Sequence, residues 1–386
     1  MPPPLILHLI YRLGRAGLES NLVRMINHMP PDRYRHAIAC LRGFTDFRDE
    51  IRRSDVPVYD LGQKRGVDWG VYPRLYRLCR ELRPAVFHTR NLAAVEGQWV
   101  ARLAGIPARI HSEEGRDVSD PHGLNRKHNL LRRSIRPIVH SFGAVSQDLC
   151  DWLVERIGVP REKVSLLRTG VDTAAFRIRA AGEGPPALGP DGWLREGALV
   201  YGWLGRVTSV KDPILYLEAF RRVADQQAAS GGRPVRLLLV GDGEERSRCL
   251  EWVRQNGLEP LCWIAGKLPD AALAMRLMDV FVLSSIAEGT PNTVLEAMAS
   301  GLPVVGTRVG GMPNLVSEGV EGLLTPAQDP EALAAAMMRY ARDEALRAEH
   351  GRQARLRAER EFGIDTMVRD YLSLYDRAAA RRTRRP

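Results

Sequence analysis

Ser284-Ser285-Ile286-Ala287-Glu288-Gly289-Thr290-Pro291-Asn292-Thr293-Val294-Leu295-Glu296-Ala297-Met298 is the stretch on which the reading of this chain turns. Four apolar residues precede it, Val280-Phe281-Val282-Leu283, and Ala299-Ser300-Gly301-Leu302-Pro303-Val304-Val305-Gly306 follows. An apolar run without polar alternation fits a parallel strand covered on both faces. Ser, Gly and Pro then break the strand, so Glu288 falls in a loop at its carboxyl end. A helix starts near Asn292 or Thr293 and carries Glu296 in its first turns. Open α/β sheets bind ligands at that edge, and helix N-termini favour phosphate. Two carboxylates there can grip sugar hydroxyls without a metal. Thr293-Val294-Leu295-Glu296 also has the spacing of a capping box, in which Glu296 only caps its own helix. Glu288 read alone is an ordinary loop acid.

Working outward, the pattern of strand and helix alternates over most of the chain. Strands are expected near Leu5–Tyr11, His36–Leu41, Val56–Leu61, Ala85–His88, Ala108–His111, Ser141–Val145 and Val164–Leu167. A second series follows at Leu199–Leu204, Arg236–Val240, Cys262–Ala265, Val280–Leu283, Val304–Gly306 and Gly322–Leu324. Helical periodicity fills the intervals, as in Leu18–Met29, Val71–Leu82, Leu92–Ala104 and Asp148–Ile157. Such alternation means βαβ units and parallel sheets. The Gly/Pro-rich run 178–197 separates the two series and reads as a linker. The expected division is an N-terminal Rossmann-like domain over 1–177, the linker, and a C-terminal Rossmann-like domain over 198–364. Residues 365–386 form a last helix and a basic tail, Arg381-Arg382-Thr383-Arg384-Arg385-Pro386, read most simply as solvated.

Composition narrows the class. The 386 residues are 45% hydrophobic and 26% charged, the balance of a globular protein. No apolar run approaches the ~20 residues that span a bilayer. Leu5-Ile6-Leu7-His8-Leu9-Ile10-Tyr11 has no basic residue before it and is interrupted by His8, so it reads as a first strand rather than a signal peptide. Five scattered cysteines without a C-x-x-C pair point to reduced thiols in the cytoplasm and away from zinc. A net charge of +10 suits nucleic acid, an anionic membrane surface or a phosphorylated ligand without choosing among them. Arg126, Lys127, Arg132, Arg133 and Arg136 crowd one predicted helix, either as a solvated basic face or as a patch for anionic lipid.

Several further motifs sit at strand ends. Leu13-Gly14-Arg15-Ala16-Gly17-Leu18-Glu19 follows the first strand, where a glycine turn can bring backbone N–H groups to an anion. Gly205-Arg206-Val207-Thr208-Ser209-Val210-Lys211 follows the first strand of the second series, and paired cations there suit a phosphorylated ligand. His111 closes the fifth strand in Ile110-His111-Ser112-Glu113-Glu114-Gly115-Arg116-Asp117. Gly241-Asp242-Gly243 reads as a tight turn with no direct catalytic part, and Gly266-Lys267 closes a further predicted strand.

In this order, the motifs resemble the family-4 retaining glycosyltransferases of the GT-B fold. The match covers the E-x7-E signature Glu288…Glu296 with its Pro-Asn and Gly310-Gly311, the Gly-Arg-x4-Lys of Gly205–Lys211, and the placement of His111. Ala16 stands where the family has a first glycine, and Thr169 where it has Asn before Gly170-Val171-Asp172. The resemblance implies two Rossmann-like parallel-sheet domains facing across a cleft, with a C-terminal helix crossing back to the first. It implies a nucleotide-sugar donor as substrate, no metal, a saccharide or lipid-linked saccharide acceptor, and no nucleic acid. The membrane contact would be peripheral, on the inner face of the plasma membrane. Carried over residue by residue, the catalytic set is Glu288, His111, Arg206 and Lys211. The donor-binding set is Gly17, Gly205, Arg206, Lys211, Glu288, Asn292, Thr293 and Glu296. Arg206 and Lys211 take the diphosphate, Glu288 the donor sugar, Glu296 the ribose, and His111 the sugar from the first domain. Glu113, Glu114, Arg116 and Asp117 would line the acceptor side. In finer detail the chain is similar to sugar transferases of bacterial exopolysaccharide clusters. The alternatives are a GT-B sugar-nucleotide epimerase and a non-catalytic nucleotide-binding module.

Overall fold

The computed structural model describes residues 2–380 except 117–119, 121–122, 181 and 187. Two parallel sheets organise the chain, one in each of two units. In the first unit the strands are β1 (Leu5–Ile10), β2 (Arg35–Cys40), β3 (Val58–Asp60), β4 (Val86–Arg90), β5 (Ala108–Glu113), β6 (Ser141–Ala144) and β7 (Val164–Leu166), ordered β3-β2-β1-β4-β5-β6-β7. In the second they are β8 (Leu199–Leu204), β9 (Val235–Val240), β10 (Cys262–Gly266), β11 (Val280–Leu283), β12 (Val304–Thr307) and β13 (Gly322–Thr325), ordered β10-β9-β8-β11-β12-β13. Both are doubly wound Rossmann-like sheets. The crossovers leave in opposite directions on either side of β1/β4 and of β8/β11, and the carboxyl edge at each reversal is left open for a ligand. β11 is buried along its whole length, as its unbroken apolar run requires.

The chain divides after Gly170 and after Gly363. Val171 already belongs to the core of the second unit, where its N–H donates to the Phe362 carbonyl at 2.8 Å. The run 178–197, expected as a linker, lies in that unit too. Trp193 is buried there, its indole N–H donating to Leu261 O at 3.2 Å and its own carbonyl accepting from Arg236 at 2.5 Å. Gly and Pro set the path of this segment, but an apolar anchor decides what it packs on.

Helix Ile364–Ala380 belongs to the first unit. Its Met367, Tyr371, Leu374 and Tyr375 join Ile6, Ile10, Ile26 and Ile38 in one buried cluster. Each such aliphatic burial contributes roughly 1.5–3 kcal/mol. Asp376 accepts from Tyr34 at 2.8 Å and Arg33 at 2.9 Å, and Asp370 pairs with Arg168 at 3.1 Å.

Beneath this helix lies a buried polar cluster. Arg90 donates to His8 Nδ1 at 2.9 Å, so the His8 proton sits on Nε2 and is donated to His36 Nδ1, also at 2.9 Å. His88 bridges Tyr375 Oη at 3.1 Å and Ser112 Oγ at 2.7 Å. Arg90 is neutralised by Glu114 at 2.6 Å. Burial, with Arg90 nearby, holds His8 and His88 well below the usual imidazole range. Burial, with Arg53 and Arg90, takes His36 down to about 3.

These shifts fix a sign. A histidine whose folded pKa lies below its unfolded value near 6.5 contributes stability that is complete above that pH and is lost as pH falls toward the folded value. Each ring adds a slope approaching about 1.4 kcal/mol per pH unit, so three give about 4. Ordinary carboxylates titrate lower, outside the window from pH 7 to 5, and Glu114, raised by burial, acts in the opposite direction. The unfolding midpoint should therefore fall steeply between pH 7 and 5. His36→Asn, which keeps an acceptor for His8 and removes a titrating ring, should make that fall shallower. Parallel curves for the two proteins, measured by thermal unfolding, would remove His36 from the effect.

Candidate active site

Two loops meet at the β8/β11 reversal of the second unit. The first, Gly205–Lys211, leaves β8 and ends at helix Pro213–Ala229, capped by the Asp212 carboxylate. It rests on the turn after β9. Gly205 N–H donates to Val240 O, Val207 N–H to Asp242 O and Glu245 N–H to Val207 O, each at 3.0 Å. Gly241 has φ +140°, and a Cβ there would stand 1.8 Å from Gly205 O. The Gly241-Asp242-Gly243 turn thus supports the loop that carries Arg206. Arg206 is exposed and makes no ion pair among the described residues.

The second loop follows β11 and is tied to the first. Ile286 N–H donates to Val210 O at 2.8 Å, and the Ser284 hydroxyl to Lys211 O at 3.0 Å. Lys211 Nζ reaches Glu288 Oε1 at 2.5 Å, and the Ser285 hydroxyl donates to the same oxygen at 2.5 Å. Thr307 holds the Ser285 carbonyl at 2.6 Å. Behind the loop, Gly310 adopts φ +50°, and a Cβ there would stand 1.8 Å from Glu288 O. Gly311 N–H donates to Gly289 O at 3.0 Å. Lys211 and Glu288 therefore form one unit, with side chains 20% and 6% exposed. Sequence reading gave them separate ligands and assigned nothing to Ser284 and Ser285. The signal available was a pair of hydroxyls at the end of an apolar strand.

Helix Asn292–Ala299 begins directly after this loop, with Pro291 at its N-cap and no side-chain cap. Asn292 and Thr293 are its first two residues, and Glu296 is the fifth. The capping box does not form, because Thr293 lies inside the helix rather than before it. Glu296 is a largely buried carboxylate on a helix whose N-terminus starts at the ligand edge. Gly266 closes β10 and accepts from Gly241 N–H at 2.8 Å, and Lys267 beside it is exposed.

In the first unit, Gly17 opens helix Gly17–His28 at the carboxyl edge of β1 and is exposed. His111 departs from expectation. β5 runs on to Glu113, so His111 lies inside the strand, with its side chain 1% exposed. Its Nε2 meets Glu113 Oε1 at 3.1 Å and its Nδ1 meets Thr89 Oγ1 at 2.8 Å. The carboxylate can only accept, so Nε2 carries a proton. Both ring nitrogens are engaged within the unit.

Arg132 is a second correction. It faces inward, clasping Glu113 through Nε at 2.6 Å and Nη2 at 3.2 Å, with its guanidinium 5.0 Å from the Trp152 ring centroid. Burial alone would raise the Glu113 carboxyl, but His111 and Arg132 take it down to about 2. Glu113 and Glu114 are both spent on structural pairs, Arg116 pairs with Asp148 at 2.7 Å, and Asp117 lies outside the described residues. On helix Arg126–Ile135, Arg126, Lys127 and Arg133 remain exposed beside Leu130, which is 68% exposed. Arg136 is half-buried and donates to Ile157 O at 3.3 Å. The terminal basic run 381–386 lies outside the described residues. Among the described residues no group of three or more His, Cys, Asp or Glu could hold a metal, and no helix is long and apolar enough to cross a membrane.

The family models that the chain matches identify it as a glycosyltransferase. The chain belongs to the family-4 glycosyltransferases, on the GT-B fold: residues 15–175 match the Glycosyltransferase Family 4 model and residues 198–343 the model for glycosyl transferases group 1. It is 22% identical, over 86% of each chain, to the UDP-Gal:alpha-D-GlcNAc-diphosphoundecaprenol alpha-1,3-galactosyltransferase of Escherichia coli. It is 27% identical to the amylovoran biosynthesis glycosyltransferase AmsK of Erwinia amylovora, over 58% of this chain and 53% of that one. The crystal structure of HepE from Anabaena in complex with UDP superposes with a TM-score of 0.79 at 18% identity, over 96% of this chain and 99% of that one.

The inward and outward arginines of helix Arg126–Ile135 should separate in denaturant unfolding. Arg132→Ala leaves Glu113 buried without its cation and should cost about 3–5 kcal/mol. Arg133→Ala, at an exposed position, should stay within about 0.5 kcal/mol of wild type. Equal effects would return Arg132 to the surface patch.

Proposed function

We propose that this chain transfers a sugar from a nucleoside diphosphate donor to an acceptor hydroxyl, with retention at the anomeric carbon and without a divalent metal. The observation that carries the reading is the convergence of Arg206, Lys211, Glu288 and the start of helix Asn292–Ala299 at the β8/β11 edge. Breaking the glycosyl–phosphate bond sends its electron pair to the diphosphate and leaves an oxocarbenium-like sugar. Arg206, Lys211 and the helix N-terminal amides supply positive potential where that anion develops. Glu288 takes sugar hydroxyls and Glu296 the ribose. The acceptor oxygen bonds to the anomeric carbon on the face the phosphate leaves, and its proton passes to the departing phosphate oxygen. No separate base is needed, in keeping with the enclosed state of His111.

The relatives support a place in exopolysaccharide or glycolipid assembly: one is named for amylovoran biosynthesis and another for a diphosphoundecaprenol-linked acceptor. A lipid-linked acceptor brings the enzyme to the cytoplasmic face of the membrane, and the surface for that contact is Arg126, Lys127 and Arg133 with Leu124 and Leu130.

Four measurements test the reading. Arg206→Ala should lower turnover with sugar nucleotides by about 10²-fold or more, while thermal stability holds because the side chain is exposed. EDTA should leave wild-type turnover intact, and NMR of the product should find the donor's anomeric configuration. Undiminished turnover in the variant, loss on chelation or an inverted product would each strike out the matching part. In vesicle flotation, wild type should bind anionic membranes at low salt, each exposed cation adding about 1 kcal/mol, with binding weakened as salt rises. Charge reversal at Arg126, Lys127 and Arg133 should release it. Indifference of wild type to anionic vesicles would leave the acceptor to be met in solution.

A further inference from the structure

Lys211 and Glu288 cannot both serve a donor in the arrangement they occupy. The lysine nitrogen lies 2.5 Å from Glu288 Oε1, the oxygen that also accepts from Ser285. The backbones beneath are locked to each other, through Ile286 N–H to Val210 O and Ser284 Oγ to Lys211 O. Only side-chain torsions remain to separate the pair. Glu288 is 6% exposed, so a carboxylate that loses its cation there has little water to replace it.

We propose that Lys211–Glu288 is an exchangeable ion pair that makes the site favour intact donor over spent nucleotide. This rests on the function proposed above. When a nucleotide sugar enters, Lys211 moves to the diphosphate as the sugar hydroxyls take its place on Glu288, so neither charge is stranded. When a nucleoside diphosphate binds alone, Lys211 can reach the phosphates only by abandoning Glu288, and no hydroxyl replaces it. After transfer has removed the sugar, the carboxylate reclaims the lysine and the leaving nucleotide loses a cation. Ser285 is a positioning residue in this exchange: its hydroxyl, itself set by Thr307 on the Ser285 carbonyl, keeps Oε1 aimed while the lysine is away.

The exchange is measured by calorimetric titration of UDP, ADP and GDP into wild type, Glu288→Gln, Lys211→Met and the double variant. Gln retains the acceptor for Ser285 and discards the charge. Glu288→Gln should bind the accepted nucleoside diphosphate about tenfold tighter than wild type, the worth of one charge-assisted contact regained. Lys211→Met should bind it more weakly, and adding Glu288→Gln to Lys211→Met should change affinity less than about twofold, since no lysine remains to be released. Product inhibition by the same nucleotide should strengthen in Glu288→Gln. Unchanged or weaker binding by Glu288→Gln overturns the proposal. A gain that persists without Lys211 also overturns it, because it reports simple repulsion between carboxylate and diphosphate. Wild-type affinity in Lys211→Met, or no nucleotide binding by wild type, removes the lysine clamp itself and the exchange falls with it. Should Glu288→Gln fail to fold, Glu288→Asp draws the carboxylate back by one methylene and should give a smaller gain with the same dependence on Lys211.

Discussion

A parallel sheet that reverses its winding leaves one edge that its own connections do not cover. In the second unit that reversal falls between β8 and β11, and the chemistry depends on it. The loops that leave these two strands are joined backbone to backbone, and glycines at 241 and 310 let neighbouring chain approach closer than any side chain would permit. Their charged side chains therefore project from a floor that has little freedom. A lysine and a glutamate far apart in sequence arrive within hydrogen-bond distance because β8 and β11 are neighbours, and for no local reason.

The first unit solves a different problem. It buries two formal charge pairs and three neutral imidazoles in and around a sheet whose core is otherwise largely apolar. Isolated, any of these groups would be expensive to desolvate. Glu113 is held by His111 and Arg132, Arg90 by Glu114 and His8, and His88 by Tyr375 and Ser112, so most of that expense is returned in directed bonds. The network also ties the end of β5 to helix Ile364–Ala380, elements more than 200 residues apart in sequence that no aliphatic contact would orient so narrowly.

How legible this was depended on whether the determining contact was local. The thirteen strands among the described residues lie where runs bounded by turn residues put them, most plainly those buried on both faces, such as β9 and β11. The loop positions of Arg206 and Glu288 followed from the same runs. For Glu296 the helix start at Asn292 removes only the capping box with Thr293, a difference too small for propensity to decide. His111 was misplaced because β5 extends two residues further, which sets His111 and Glu113 on one face of the same strand. Arg132 looked exposed on its helix because nothing in the helix reveals Glu113 on a strand 19 residues earlier. The run 178–197 looked like a tether because Gly and Pro are easy to count, whereas the burial of Trp193 is a tertiary fact. The Lys211–Glu288 contact spans 77 residues and required the strand order itself.

The core of the first unit is completed by residues from the far end of the chain. Met367, Tyr371, Leu374 and Tyr375 fill it, while Val171–Gly363, the whole of the second unit, is contiguous. During synthesis, domains generally fold from the N-terminus as they emerge. Here that order is inverted in its final step: the second unit holds all its parts while the first still waits, with an open apolar face over β4, β5 and β6, for helix Ile364–Ala380 to leave the ribosome. The sequence that starts folding first finishes last, and its exposed sheet in that interval is the segment of this protein most in need of a chaperone.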